Sequence, residues 1–475
     1  MIVRVFIFLF FCLSLGASEI EQDVFKKIDN FVKSSQDKAN LPAVSIGIVQ
    51  GDKLVYKKSY SEDKNISSTS LYFIGSLTKS FTAVAIMHLV EQGKIGLDDP
   101  VTKYLPWFKV KNSEYKDSIT IRTLLNQTSG FSTYEGLKNF DNFDSDKMVL
   151  ENTVRALKDV ELKYQPSTTF EYSNINYQIL GLLIEKISGI SYAEFLEKHI
   201  FNKLNMNNSH ASMDKIDKKN LAKGHFLYFG QAVEKQYPFN HAMLAAGYII
   251  SNVEDMAKYL LAHINKDETF LTKQSFQELH TPSATLVKDK IHYSLGWFVD
   301  TTTEEVYLNH FGSAPGYSSL MVIFPKRKLG VIVLINTTSY TLGAKEINSL
   351  AGRIIEIIDG KPQKEEQTDL ISLGIYLFFL GVIVLQLFLL NRSRKRLNSI
   401  NSFKSLILPL LFDIIIVFLF YLIIPRIYNL TFSGFLIFSS DVAYLMLISM
   451  FIAIVWGIVR SYKGIQILAI KKEVE

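Results

Sequence analysis

Residues 71–96 read LYFIGSLTKSFTAVAIMHLVEQGKIG, and Ser76-Leu77-Thr78-Lys79 stands where the apolar run opens a helix. Serine and lysine three apart project from one face of a helix, a turn from each other. The spacing alone is a weak signal, because the chain holds five Ser-x-x-Lys matches, at Ser35, Ser61, Ser76, Ser113 and Ser212. Ser35 and Ser61 lie in polar, lysine-rich segments, and Ser113 and Ser212 in loop-like ones. Only Ser76 precedes a periodic helix, with Leu77, Phe81, Val84, Ala85 and Leu89 on one face and Gly93 near its end. The free amides of a helix N-terminus favour developing negative charge, so Ser76 suits a nucleophile and Lys79 its base. The bland alternative is an N-cap serine beside a solvated lysine.

Two further segments weigh on that choice. PSTTFEYSNINYQILGLLIEKISG, residues 166–189, puts Tyr172-Ser173-Asn174 just before an amphipathic helix carrying Ile179, Leu182, Leu183 and Ile187. In NHFGSAPGYSS, His310-Phe311-Gly312 ends one strand pattern and precedes another. Taken singly, such a tyrosine is a packing residue, such an asparagine an N-cap, and such a histidine structural.

Together, in this order, the three motifs resemble those of serine hydrolases of the β-lactamase and penicillin-binding-protein superfamily. The branch is that of class C β-lactamases, D,D-carboxypeptidases, D-aminopeptidases and related esterases. GKIGLDDPVTKYLP, ITIRTLLNQTSGF, AAGYIISNVEDMAKYL and YSLGWFVD are similar too, and the resemblance covers about residues 25 to 358. It implies an α+β fold: an antiparallel sheet flanked by helices, with a helical subdomain. It implies catalysis by Ser76, Lys79 and Tyr172 through an acyl-enzyme, with Lys79 or Tyr172 as the base. Asn174, His310, Gly312 and Ser313 would bind substrate, and the backbone amides of Ser76 and Ser313 would form the oxyanion hole. No cofactor is implied. Two positions depart from the pattern: Gln127 replaces a histidine of many relatives, and His310 stands where β-lactamases carry a lysine that holds the substrate carboxylate. The second argues against classical β-lactam hydrolysis.

The ends of the chain are membrane-directed. Arg4, an apolar core from Val5 to Leu13 and the small residues to Ser18 describe a secretory signal peptide over residues 1–18. The one cysteine, Cys12, lies within it, so the remainder forms no disulfide. A hydrolase domain is expected over 19–360, a polar linker over 361–369, and a membrane region over 370–475. Apolar segments at 370–390, 405–424 and 435–459 are long enough to span a bilayer. Arg392, Arg394, Lys395, Arg396 and Lys404 follow the first, and Arg460, Lys463, Lys471 and Lys472 the third. The positive-inside rule makes both places cytoplasmic and the hydrolase domain external, in agreement with the signal peptide. The net charge of +5 is largely this topology signal, and no basic, aromatic-interleaved surface points to nucleic acid. No His-Glu-x-x-His occurs, so no metal is expected. Asp413 inside the second span and Asp441 at the edge of the third are either functional carboxylates or inter-helix clamps.

Strand patterns at both ends of the domain, with helical patterns from 77 to 265 between them, place the sheet where the chain ends meet. The expected function is a membrane-anchored, extracytoplasmic serine hydrolase acting on D-amino-acid peptides or esters related to cell wall. Its partners would be that substrate and, through three spans, membrane lipid; no protein partner is indicated. The alternatives are a sensor that acylates without fast turnover, a true β-lactamase, and a binding protein with a degenerate site.

Overall fold

The alternating runs on either side of Gln50-Gly51-Asp52 form a hairpin, β1 (Ala43–Gln50) with β2 (Lys53–Ser61), at one edge of the main sheet. The computed structural model describes residues 20–288, 290–363, 369–394 and 403–474. The expected signal peptide and Cys12 therefore lie outside the described residues, as does most of the basic loop after Arg394.

Two short pairs lie off the main sheet: β3 (Tyr72–Phe73) with β6 (Ile250–Ser251), and β4 (His225–Tyr228) with β5 (Gln231–Glu234). The later strands are β7 (Ala284–Val287), β8 (Ile291–Tyr293), β9 (Phe298–Asp300), β10 (Tyr307–Ala314), β11 (Tyr317–Phe324), β12 (Leu329–Ile335) and β13 (Thr337–Thr338). The eight-stranded antiparallel sheet runs β2-β1-β12-β11-β10-β9-β8-β7, so Val44 at the start of the chain pairs with Ile335 near the end of the domain.

Successive side chains of a strand face opposite ways, and in the central strands both faces are apolar. Ile46, Ile48, Val331 and Val333 pack against α1 (Gln22–Ala39) and the helix Ala344–Ile358, through Ile28, Val32, Leu350 and Ile354. Val49, Met321, Ile332 and Leu334 meet the helical layer on the other face, through Val253, Met256 and Leu260. Each fully buried aliphatic side chain of this kind contributes about 1.5–3 kcal/mol. The helical layer includes α2 (Thr78–Glu91) and the helix Asn174–Ser188, which bring Lys79 and Asn174 together under the sheet.

Three helices in the C-terminal region are long and apolar enough to cross a membrane: Leu370–Arg392, Ile407–Ile427 and Ser440–Ile467. The third starts later than the apolar pattern suggests. Thr431 caps a separate short helix, Phe432–Phe438, by accepting from the Gly434 amide, and Ser439 leaves helical geometry at φ −136°. Apolar residues continue through this break, so hydropathy alone runs the two helices into one.

Polar side chains tie the spans together. Gln386 and Ser449 exchange hydrogen bonds between the first and third. Asp413 of the second accepts from Arg460 of the third at 3.0 Å, with both side chains largely buried. Asp413 thus joins the second helix to the third, with Arg460 as its partner. Removing one member of such a pair leaves a charge uncompensated, whereas replacing both by apolar residues restores balance. Asp413→Leu alone should lower the thermal midpoint in detergent markedly, by about 3–5 kcal/mol of stability. The double variant Asp413→Leu/Arg460→Leu should recover most of it. Additive losses in that cycle would show that the pair contributes nothing.

Candidate active site

Ser76 sits in a single 3-10 turn, Gly75–Leu77, that runs directly into α2. Its side chain caps nothing, so the N-cap alternative does not hold. The turn is pressed against β10. Gly75 has φ +51°, and a Cβ there would lie 2.4 Å from the Ser313 amide nitrogen. A Cβ on Gly312 would lie 2.2 Å from the Ile74 carbonyl oxygen and 2.1 Å from Ser319 Oγ, which itself donates to that carbonyl at 2.7 Å. Only glycine at both positions lets the turn and the strand approach this closely, because any other residue would carry an atom into the gap. The backbones at Ser76 and Ser313 are thereby brought side by side.

Lys79 is 0% exposed. Its Nζ lies 3.0 Å from Ser76 Oγ, 2.7 Å from Asn174 Oδ1 and 2.7 Å from the Ala246 carbonyl oxygen. Among the described residues no carboxylate pairs with it. Burial therefore pushes the ammonium well below the ordinary lysine value of 10.5. As an ammonium, Nζ donates to Ser76, Asn174 and Ala246 alike; once neutral, with two protons and one lone pair, it would keep the last two bonds and accept from the Ser76 hydroxyl. Asn174 opens its helix without capping it, its oxygen being committed to Lys79.

The Tyr172 ring lies 4.8 Å from Lys79 Nζ and 6.3 Å from the His310 ring. Burial, aided by Tyr293, holds the Tyr172 phenol well above its ordinary value of 10. The segment is braced by Gln127, which adopts a left-handed φ of +63° and accepts from the Ser173 amide at 3.0 Å. Gln127 thus fills a supporting place close to the site, although the catalytic set does not include it.

His310 is 1% exposed. Its Nδ1 lies 2.7 Å from the Phe311 carbonyl oxygen, which can only accept, so Nδ1 carries the proton. Nε2 is then free to accept from the Tyr293 hydroxyl at 3.2 Å. The rings of Phe298, Tyr293 and Tyr172 surround it at 5.2–6.3 Å. Burial first, and the neighbouring Lys79 second, push the imidazole down to about 3, so it is neutral near pH 7. Tyr293 and the Ala246 carbonyl were not among the sequence-derived site residues, although both fall in segments that carry the resemblance. Thr338, whose Oγ1 lies 3.2 Å from Ser313 Oγ, had no sequence signal.

A family described as Beta-lactamase matches residues 28–354. The chain belongs to the beta-lactamase family. Protein flp of Staphylococcus aureus (strain MW2) is 30% identical over 328 residues, which are 67% of this chain and 64% of that protein. This chain therefore spans less than two thirds of that relative's length. Penicillin-binding protein 4* of Bacillus subtilis (strain 168) is 27% identical, over 71% of this chain and 78% of its own. An octameric penicillin-binding protein homologue from Pyrococcus abyssi superimposes with a TM-score of 0.63 at 29% identity, covering 72% of this chain and 79% of that one. D-amino acid amidase from Ochrobactrum anthropi SV3, solved with D-phenylalanine, has a TM-score of 0.62 at 20% identity, over 71% and 99% of the two chains. That likeness shows the fold alone. Family membership makes this chain serine-hydrolase-like and its architecture β-lactamase-like, with three candidate spans appended.

Proposed function

We propose that the protein is a membrane-anchored, extracytoplasmic serine hydrolase that works through an acyl-enzyme on Ser76. One observation carries this reading: a wholly buried lysine, unpaired with any described carboxylate, stands 3.0 Å from Ser76 Oγ. Neutral Lys79 takes the Ser76 proton as Oγ attacks a carbonyl. The opposite displacements of Lys79 and Tyr172 divide the roles that the sequence left shared. Lys79 is the base, and Tyr172, held as a phenol, protonates the leaving group and then serves the attack of water. The Ser76 and Ser313 amides receive the oxyanion, an arrangement in which one donor typically contributes about 3–4 kcal/mol.

The substrates we propose are D-amino-acid peptides, amides or esters, in keeping with penicillin-binding and D-amino-acid-processing relatives. A neutral, buried His310 offers a carboxylate no cation, which supports weak cephalosporin turnover. The test is the full chain in detergent against D-Ala peptides, D-aminoacyl amides, short esters and a chromogenic cephalosporin. Fast cephalosporin hydrolysis with none of the others would make it a β-lactamase instead, and stoichiometric acylation without turnover a sensor.

His310 should not shape the pH profile. With its own titration near 3, the acid limb of kcat/KM belongs to Lys79 and should persist in His310→Gln. Loss of that limb in the variant would transfer the titration to His310 and remove Lys79 from the base role.

The proposed orientation, with an exported hydrolase domain over residues 19–360, predicts that a reporter fused at Lys472 reads as cytoplasmic and that added protease reaches the hydrolase domain in intact cells. An external reading at Lys472 would overturn the three-span orientation.

A further inference from the structure

The membrane region does more than trail from the end of the domain; it reaches the rim of the site. The segment Ser339–Leu342 follows β13, whose Thr338 Oγ1 lies 3.2 Å from Ser313 Oγ on β10. The Tyr340 ring, half exposed itself, stacks on Phe438 at 5.0 Å and 10°. Phe438 ends the short helix before the third span and is 4% exposed, with Phe140 edge-on to it at 4.8 Å.

The next residue, Thr341, is fixed from the same side. Its hydroxyl donates to Asp441 at 3.3 Å and lies 2.9 Å from the Tyr376 hydroxyl of the first span. Asp441 is buried and collects further bonds from Tyr376, from the Phe229 amide and from its own helix at Val442. Two of these donors, Thr341 and Phe229, belong to the hydrolase domain; the other two belong to the membrane region. A buried carboxylate with every bond met makes a rigid joint. A simple tether would need neither this joint nor a phenylalanine stacked on the rim.

We propose that Asp441 and Phe438 are positioning residues of the hydrolase site, acting through Thr341 and Tyr340 to hold Ser313 in its oxyanion-binding place. The proposal rests on the reading of Ser76 and Ser313 given above. Oxyanion donors work only within about 0.5 Å of the productive geometry, so loosening their support weakens transition-state binding while ground-state binding is spared.

The experiment uses the full chain in lipid nanodiscs, with a chromogenic ester and an arylboronic acid, whose tetrahedral serine adduct places an oxygen in the oxyanion hole. Asp441→Asn, Thr341→Val and Phe438→Ala should each weaken boronate affinity and kcat together, by about tenfold. KM and the pH profile should stay near wild type, whatever the thermal midpoint loses, and Thr341→Ser should restore affinity. Asp413→Asn disturbs the spans away from the site and should leave boronate affinity unchanged. Folded Asp441→Asn and Phe438→Ala proteins that bind the boronate as wild type does would overturn the proposal alone, as would equal weakening by Asp413→Asn. A wild-type protein that binds no boronate would overturn the Ser76 reading and this proposal with it.

Discussion

Ser76→Ala is expected to lower kcat/KM by at least about four orders of magnitude, because binding and oxyanion donors alone cannot replace a covalent route. The same change should remove the mass adduct left by a fluorophosphonate. The four other serines of the same spacing supply an internal control, since none has the partner that Ser76 has. Ser61 donates to the Pro42 carbonyl, Ser35 is buried in α1, and Lys215 beside Ser212 is paired with Glu197. Ser113 opens a surface turn with no buried lysine near it. A fluorophosphonate adduct on any of these, or an active Ser76→Ala protein, would displace the nucleophile from Ser76.

The second large effect is expected at Lys79. Lys79→Met removes the group that stands 3.0 Å from Ser76 Oγ to accept its proton, and general-base loss of this kind costs about 10²–10⁴ in rate. Stability should move the other way as pH falls. In the unfolded chain Lys79 binds a proton up to its ordinary value of 10.5, while in the folded protein burial expels that proton at much lower pH. Between those two values the unfolded state holds more protons, so wild-type stability rises with pH across the window and is level below it. Lys79→Met lacks this dependence. Thermal midpoints measured from pH 6 to 10 should therefore show wild type gaining on the variant as pH rises. Parallel midpoints across that range would mean that Lys79 keeps its proton on folding and cannot be the base in the resting protein.

Much of this was legible before any coordinates. Period-two alternation gave β1 and β2, and the 3.6-residue stripe gave α1, because the larger apolar side chains of each recur on one face. Ser76 and Lys79 were legible because a helix fixes their separation. Asn174 and His310 needed the resemblance, since nothing local says that residues 95 and 231 positions beyond Lys79 will meet it. The Ala246 carbonyl was beyond reach for another reason: a backbone acceptor has no side-chain identity to recognise. The break at Ser439 was hidden because hydropathy measures apolarity and not φ and ψ. Tyr340 and Phe438 are ordinary aromatics in sequence, and their meaning arises only from the contact between them.

The Asp413–Arg460 pair also bears on how the protein is made. A carboxylate within an isolated apolar helix raises the free energy of entering the bilayer by about 2.5–3.5 kcal/mol. The second span leaves the ribosome 47 residues before its counter-ion, as the numbering of the pair gives. If these helices cross a bilayer, that cost is relieved only once Arg460 is synthesised, so truncation before Arg460 should lower insertion of the second helix relative to the full chain.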